Sequence, residues 1–213
     1  MEEEGDSSVD SLRGKVVVVT GGTAGIGLVV AEWLAGRGAR VVVCGRDQQR
    51  LAGAVAALPG GLGLRCDLVD AADRALLVRT VTRCCARIDA LVNVAPPTRI
   101  GRLVQLAAPE AERSAAHALD LTRLVLPHMA DHGCVVLLSS LAGASPPLSR
   151  YTATKAGVHD LVDGSAPRGL RVHLLRAGGG APGGAGLWSW AGAAETLTPR
   201  GIAGEIKRCL TAR

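Results

Sequence analysis

Val16-Val17-Val18-Val19-Thr20-Gly21-Gly22-Thr23-Ala24-Gly25-Ile26-Gly27 decides how the rest of the chain is read: an apolar run stops at a glycine-rich turn and passes into an amphipathic segment. Four successive valines suit a parallel strand buried on both faces, because β-branched side chains pack well there and neither face meets water. Gly21, Gly25 and Gly27 remove the side chains that would hold a pyrophosphate away from main-chain N–H groups at a helix N-terminus, where the helix dipole favours an anion. The helix shows in Ile26, Val29, Val30, Trp33 and Leu34, whose three- and four-residue spacing places them on one face. A glycine-rich turn by itself is only a tight connection. A strand before it and a periodic helix after it supply the context of a dinucleotide site.

Outward from this unit, strands and helices alternate. Val41-Val42-Val43-Cys44 is a second buried strand, and Asp47 caps a helix through Leu51, Val55 and Leu58 that Pro59-Gly60-Gly61 ends. Leu62 to Cys66 is a short third strand, and Asp70 caps a helix whose apolar stripe includes Leu76, Leu77, Val81 and Cys84. Ala90-Leu91-Val92 is a fourth strand ending at Asn93, and Pro109 and Glu110 open a long helix through Leu119, Thr122, Leu126 and Met129. Cys134 to Leu138 is the fifth strand, Tyr151 to Val162 a helix, and Leu170 to Leu175 a sixth strand. Thr198-Pro199 then caps a final helix through Ile202, Ile206 and Leu210.

This alternation implies right-handed crossovers and an α/β fold: a doubly wound, Rossmann-like parallel sheet of about six strands with helices on both faces. A flexible leader over 1–11 precedes one domain over 12–213. A ligand would sit outside the carboxyl ends of the strands, where Gly21, Arg46, Asp67, Asn93 and Ser140 each follow a strand. The aperiodic, glycine-rich stretch 177–198 reads equally as a lid carrying Trp188 and Trp190 or as a loose connector.

Composition excludes other classes. Apolar residues make up 48% of 213, Phe is absent and Tyr occurs once, so the core must be built from Val, Leu and Ala, and Tyr151 stands out. The net charge of +5 is spread without basic clusters or interleaved aromatics, which argues against a nucleic-acid partner. Met1-Glu2-Glu3-Glu4-Gly5-Asp6 is the opposite of a signal peptide, and no later apolar run approaches a membrane span, so a cytoplasmic protein is expected. The six cysteines lack C-x-x-C spacing and read as free thiols. His128 and His132 are spaced i, i+4 with no third ligand near, so they are expected to face solvent late in a helix, and no metal site is expected.

A second constellation joins Ser139-Ser140, at the end of strand five, to Tyr151-Thr152-Ala153-Thr154-Lys155. Tyr and Lys at i, i+4 share a helix face. A phenol normally titrates near pH 10 and is a poor acid or base at neutrality; a nearby ammonium lowers that value by favouring the phenolate. Ser140 can hold a carbonyl or alcohol oxygen within reach of the Tyr151 hydroxyl. Alone, Y-x-x-x-K is an ordinary helical tyrosine with a surface lysine. Here it follows the glycine turn at a fitting remove.

Together with Asp67-Leu68 and Leu91-Val92-Asn93-x-Ala95, these motifs resemble the short-chain dehydrogenases/reductases over roughly residues 12–182. The wording around Gly14 to Gly22, Ser139-Ser140-Leu141 and Ala153-Thr154-Lys155 is similar to the type 14 17β-hydroxysteroid dehydrogenase branch. The resemblance implies reversible hydride transfer between a nicotinamide and a small alcohol/carbonyl substrate. It makes Tyr151 the acid/base, Lys155 the group that lowers the Tyr151 pKa and binds ribose, and Ser140 the group that orients the reacting oxygen. It assigns cofactor binding to Gly21, Thr23, Gly25, Ile26, Gly27, Arg46, Asp67, Leu68, Asn93 and Ala95, with Asp67 at the adenine, and to Tyr151 and Lys155. Counting back from Leu126-Pro127-His128-Met129 puts Ser114 where the family has a proton-relay Asn.

An acidic residue ending strand two would accept hydrogen bonds from a free ribose 2′-OH. That place holds Gly45, followed by Arg46, which can pair with a phosphate, so NADP(H) is expected over NAD(H). Leu141, Leu148, Trp188 and Trp190 favour an apolar, steroid-like substrate. The chain departs from the family pattern in Pro96 after Asn93-Val94-Ala95, in a short Ser140–Tyr151 loop, in Ala177-Gly178-Gly179-Gly180-Ala181-Pro182 after strand six, and in lacking a seventh strand. The last leaves strand six an edge, open to pairing in a homodimer. Two function classes therefore stand: an active oxidoreductase, or a catalytically weak or inactive relative that binds nucleotide or a protein partner.

Overall fold

β1 (Val16–Thr20) is buried at every position, as a β-branched strand with no wet face should be. It pairs in parallel with β2 (Arg40–Gly45) on one side and β4 (Ile88–Asn93) on the other. Beyond these lie β3 (Leu62–Arg65) against β2, then β5 (Met129–Ser140) against β4 and β6 (Arg171–Ala177) against β5. The computed structural model, which describes residues 12–94, 108–140, 167–177 and 199–211, thus contains a six-stranded parallel sheet ordered β3-β2-β1-β4-β5-β6. The expected doubly wound sheet is present. Its order reverses between β1 and β4, and sheets of this kind bind their ligands in the crevice outside the carboxyl ends at such a reversal.

The period of two along each strand sorts the apolar side chains into two cores. Val17, Val19, Val41, Val43, Ala90, Val92 and Val136 pack with α1 (Gly25–Ala35), α2 (Gln48–Ala56) and α5 (Pro199–Thr211). Val16, Val18, Val42, Cys44, Leu91, Val135 and Leu137 face the other way, against α3 (Ala71–Cys85) and α4 (Ala108–Val125). Each fully buried Val or Leu contributes roughly 1.5–3 kcal/mol of transfer free energy, so this double valine face is the main reason the sheet persists without aromatic residues.

Two helix starts follow from local chemistry. The Asp47 carboxylate accepts from the N–H groups of Gln49 and Arg50 at 3.0 and 3.1 Å, and Asp70 accepts from Ala72 and Asp73 at 2.7 and 3.4 Å. Each cap stabilises its helix by about 1 kcal/mol.

Elsewhere the structure corrects the sequence reading. α4 ends at Val125, a 3-10 turn spans Leu126–His128, and Met129 already belongs to β5. Pro127 supplies no N–H and disfavours helical backbone at the residue before it, so the helix cannot reach Met129. His128 and His132 are exposed, but neither lies in an α-helix, and His132 has φ +59° beside a register shift between Ile88 and Ala90. The third strand ends at Arg65, one residue short of Cys66. The buried stripe of α3 is Arg74, Leu77, Val78 and Val81, which leaves Leu76 51% exposed and Cys84 exposed. The leader, the Tyr151–Val162 helix and residues 178–198 lie outside the described residues.

At the amino-terminal end of the sheet, Asp89 is buried and accepts from the Val16 N–H at 2.9 Å, from Lys15 Nζ at 3.2 Å and from Arg87 Nε at 3.2 Å. One carboxylate thereby ties β1 to β4. It lies at the opposite end of the strands from the crevice.

Candidate functional site

The glycine turn has the geometry of an anion cradle. Gly21 and Gly25 have φ +68° and +55°, conformations that side-chain-bearing residues rarely adopt. Gly27 is buried where α1 crosses the turn, and a Cβ there would collide with the Gly21 carbonyl. The N-cap of α1 is Ala24, which offers no side-chain acceptor to the first N–H groups of the helix. These donors need an outside partner, and a pyrophosphate suits them. Thr23 and Ile26 are half-buried in the same turn. The residues present therefore fit a dinucleotide at its phosphate end.

The adjoining region is shaped by the ends of β2 and β3. A Cβ on Gly45 would lie 2.9 Å from Thr23 Cγ2, so Thr23 covers the place where an acidic residue would meet a ribose hydroxyl. Arg46 follows, with a side chain 62% exposed and Nη1 3.8 Å from Asp67 Oδ2. The Asp67-Leu68 segment is half-buried and tightly tied: the Asp67 N–H donates to Asp73 Oδ2 at 2.8 Å, and Asp67 Oδ1 accepts from the Val69 N–H at 3.0 Å. Beneath lie Cys44 and Cys66, whose thiols are hydrogen-bonded. That bond and burial push the Cys44 thiol up, while the same bond pulls Cys66 down. All six cysteines are free thiols.

At the reversal of strand order, Thr20 and Asn93 are register partners, and the buried Thr20 Oγ1 lies 3.3 Å from Asn93 Oδ1, to which it donates. This contact turns the Asn93 amide oxygen toward β1. β5 continues beyond the level of Asn93, which is paired with Leu137, and ends at Ser140, paired with Ala177 of β6. At the usual rise of a strand, Ser140 stands about 10 Å farther along than Asn93, at the rim of the same edge. Ser114 lies within α4, one turn before Ala118. Gly21, Thr23, Gly25, Ile26, Gly27, Arg46, Asp67, Leu68, Asn93 and Ser140 are thus all at the carboxyl end of the sheet. Tyr151, Lys155 and Ala95 lie outside the described residues.

Sequence reasoning missed Thr20, Asp73 and Arg74 here. Arg74 carried a readable signal, because it falls in phase with Leu77, Val78 and Val81 on the buried stripe, where a charge needs partners.

Comparison with known proteins bears on the fold and its chemistry. The short chain dehydrogenase family model matches residues 15–184. The chain is 37% identical over 196 residues to dehydrogenase/reductase SDR family member 4 of Pongo abelii, covering 84% of this chain and 70% of that protein. It is 34% identical over 181 residues to the L-fucose dehydrogenase of Bos taurus, covering 78% of this chain and 66% of that one. A solved short chain dehydrogenase from Burkholderia cenocepacia J2315, in complex with NADP, superposes with a TM-score of 0.63 at 26% identity, over 79% of this chain and 76% of its own. Among the described residues no helix is long and apolar enough to cross a membrane. The strand order, the glycine cradle at its reversal and a match over most of the length agree, and this chain belongs to the short-chain dehydrogenase/reductase family of oxidoreductases.

Proposed function

We propose that this chain is an NADP(H)-dependent oxidoreductase that interconverts an alcohol and a ketone or aldehyde on a small apolar substrate. The observation that carries the reading is the pairing of a glycine cradle with Arg46, not a carboxylate, at the end of β2. The cradle holds the phosphates, Asp67 and Leu68 border the adenine, and Arg46 meets the ribose 2′-phosphate.

A bound nicotinamide supplies the hydride, and the chain supplies geometry and a tuned proton. Tyr151 gives its hydroxyl proton to the forming alkoxide. Lys155 favours the resulting phenolate, and so brings the tyrosine into the range where it exchanges protons at neutral pH. Ser140 holds the substrate oxygen in reach of Tyr151, and Ser114 passes on the replacement proton. The apolar character of Leu141, Leu148, Trp188 and Trp190 in the sequence favours an apolar, steroid-like carbonyl compound; the L-fucose dehydrogenase relative adds a sugar to the substrates worth assay. A cytoplasmic protein, and a homodimer formed through β6, the outermost strand among the described residues, complete the reading.

The test is turnover of NADPH with a panel of ketones and aldehydes, and of NADP+ with L-fucose and steroid alcohols, with Tyr151→Phe as control. Activity lost with that one oxygen supports the enzyme. Nucleotide binding without turnover on any substrate supports the inactive relative in its place.

A further inference from the structure

Arg74 is a cation placed where the sheet-facing stripe of α3 calls for an apolar residue, and its side chain is only 6% exposed. Its Nη1 donates to the Leu68 carbonyl at 2.6 Å and the Val69 carbonyl at 3.0 Å, and lies 3.4 Å from Nδ1 of His117. Nη2 donates to Asp120 Oδ2 at 3.3 Å, so the head group spans from the Asp67-Leu68-Val69 loop to α4. The neighbouring Asp73 takes the Asp67 N–H. Consecutive residues of α3 thus hold both ends of this loop: a carboxylate takes its first donor and a guanidinium takes its last two carbonyls.

This arrangement is dear as a purely structural device. A buried guanidinium must lose its hydration, and Nε of Arg74 has no acceptor among the described residues, a cost an apolar side chain would avoid. What it achieves is a loop fixed in advance, through its main chain, at the place where an adenine would stack.

We propose that Arg74 is a positioning residue for the cofactor: through the Leu68 and Val69 carbonyls it presets the adenosine pocket and so sets nucleotide affinity without touching the nucleotide. The proposal rests on the nucleotide-binding reading above. Asp120 is its anchor on α4, and His117 a lesser one.

The experiment compares wild type, Arg74→Lys, Asp120→Asn and Asp89→Asn in titrations of NADPH and of adenosine 2′,5′-bisphosphate, which occupies the adenosine end alone. Arg74→Lys keeps the charge and loses the fork. It is expected to weaken both ligands by the same factor, about tenfold, raising KM for NADPH while kcat at saturation stays within about twofold. Asp120→Asn is expected to weaken both about threefold. Asp89→Asn, at the far end of the sheet, lowers thermal stability and leaves both affinities unchanged. Arg74→Lys binding both ligands like wild type, or losing affinity only as Asp89→Asn does, overturns the assignment. Wild type binding neither ligand overturns the nucleotide reading itself, and this assignment with it.

Discussion

The guanidinium of Arg46 stands 3.8 Å from the carboxylate of Asp67, Nη1 to Oδ2, across the carboxyl ends of β2 and β3. Both groups are well exposed, at 62% and 40%, and a pair so placed contributes no more than about 1 kcal/mol. A phosphate carrying nearly two charges competes for Arg46 at little cost. Replacing Arg46 by Ala is therefore expected to weaken NADPH by about ten- to a hundredfold, the worth of one or two charge-assisted hydrogen bonds, and to leave NADH within about threefold. Fluorescence titration of each reduced nucleotide measures both.

Gly27→Ala addresses the cradle. The new methyl meets the Gly21 carbonyl, a main-chain atom that cannot swing aside, so α1 must move off the turn. We expect about 1–3 kcal/mol of destabilisation in urea unfolding, together with loss of detectable nucleotide binding. Full affinity in a folded Gly27→Ala variant would show that the turn does not receive a phosphate.

Asp89 carries stability at the other end of the sheet. Removing it with Asp89→Ala leaves the Val16 N–H buried without its acceptor and Lys15 and Arg87 without their counter-charge, for an expected loss of about 3–5 kcal/mol. Chemical denaturation measures the loss. At temperatures where the variant is folded, its nucleotide affinity should match wild type.

His173, on β6 opposite Val136, supplies a pH dependence. Burial lowers its pKa, and the charge of Arg171 lowers it further. The unfolded chain, titrating near 6.5, then binds more protons than the folded one between that value and the lowered one. Stability rises with pH across this window and is lost as pH falls through it. His173→Gln should flatten the fall in melting temperature on acidification below about 6.5; an unchanged slope would assign it to other groups.

The parts of the fold that were legible in the sequence are those set by nearest neighbours. The Val16–Val19 run, the glycine turn and the Asp47 and Asp70 caps depend on residues a few positions apart, and each is where the sequence places it. The alternation of strands and helices gave the doubly wound parallel sheet, while the order β3-β2-β1-β4-β5-β6 is a finding of the structure. What the sequence hid depends mostly on partners distant along the chain. β5 extends back to Met129 because β4 offers it a partner past an irregular register. The phase of Arg74 on the α3 stripe was readable, but its partner Asp120, forty-six positions later, was not. Of the candidate site, the glycine turn and the place of Arg46 and Asp67 after their strands were legible from residue type and position, whereas the approach of Arg46 to Asp67 was not. Thr20 was not, because its hydroxyl gains meaning only from Asn93, seventy-three positions later.

The central claim is that one coenzyme carrying a 2′-phosphate lies across the β1/β4 crevice. Equilibrium titration of the full chain with NADPH and NADH, followed by nicotinamide fluorescence, tests it most directly. The account predicts saturable binding of both, with NADPH at least tenfold tighter and that advantage abolished in Arg46→Ala. Tighter binding of NADH, with a preference that Arg46→Ala leaves in place, would contradict it.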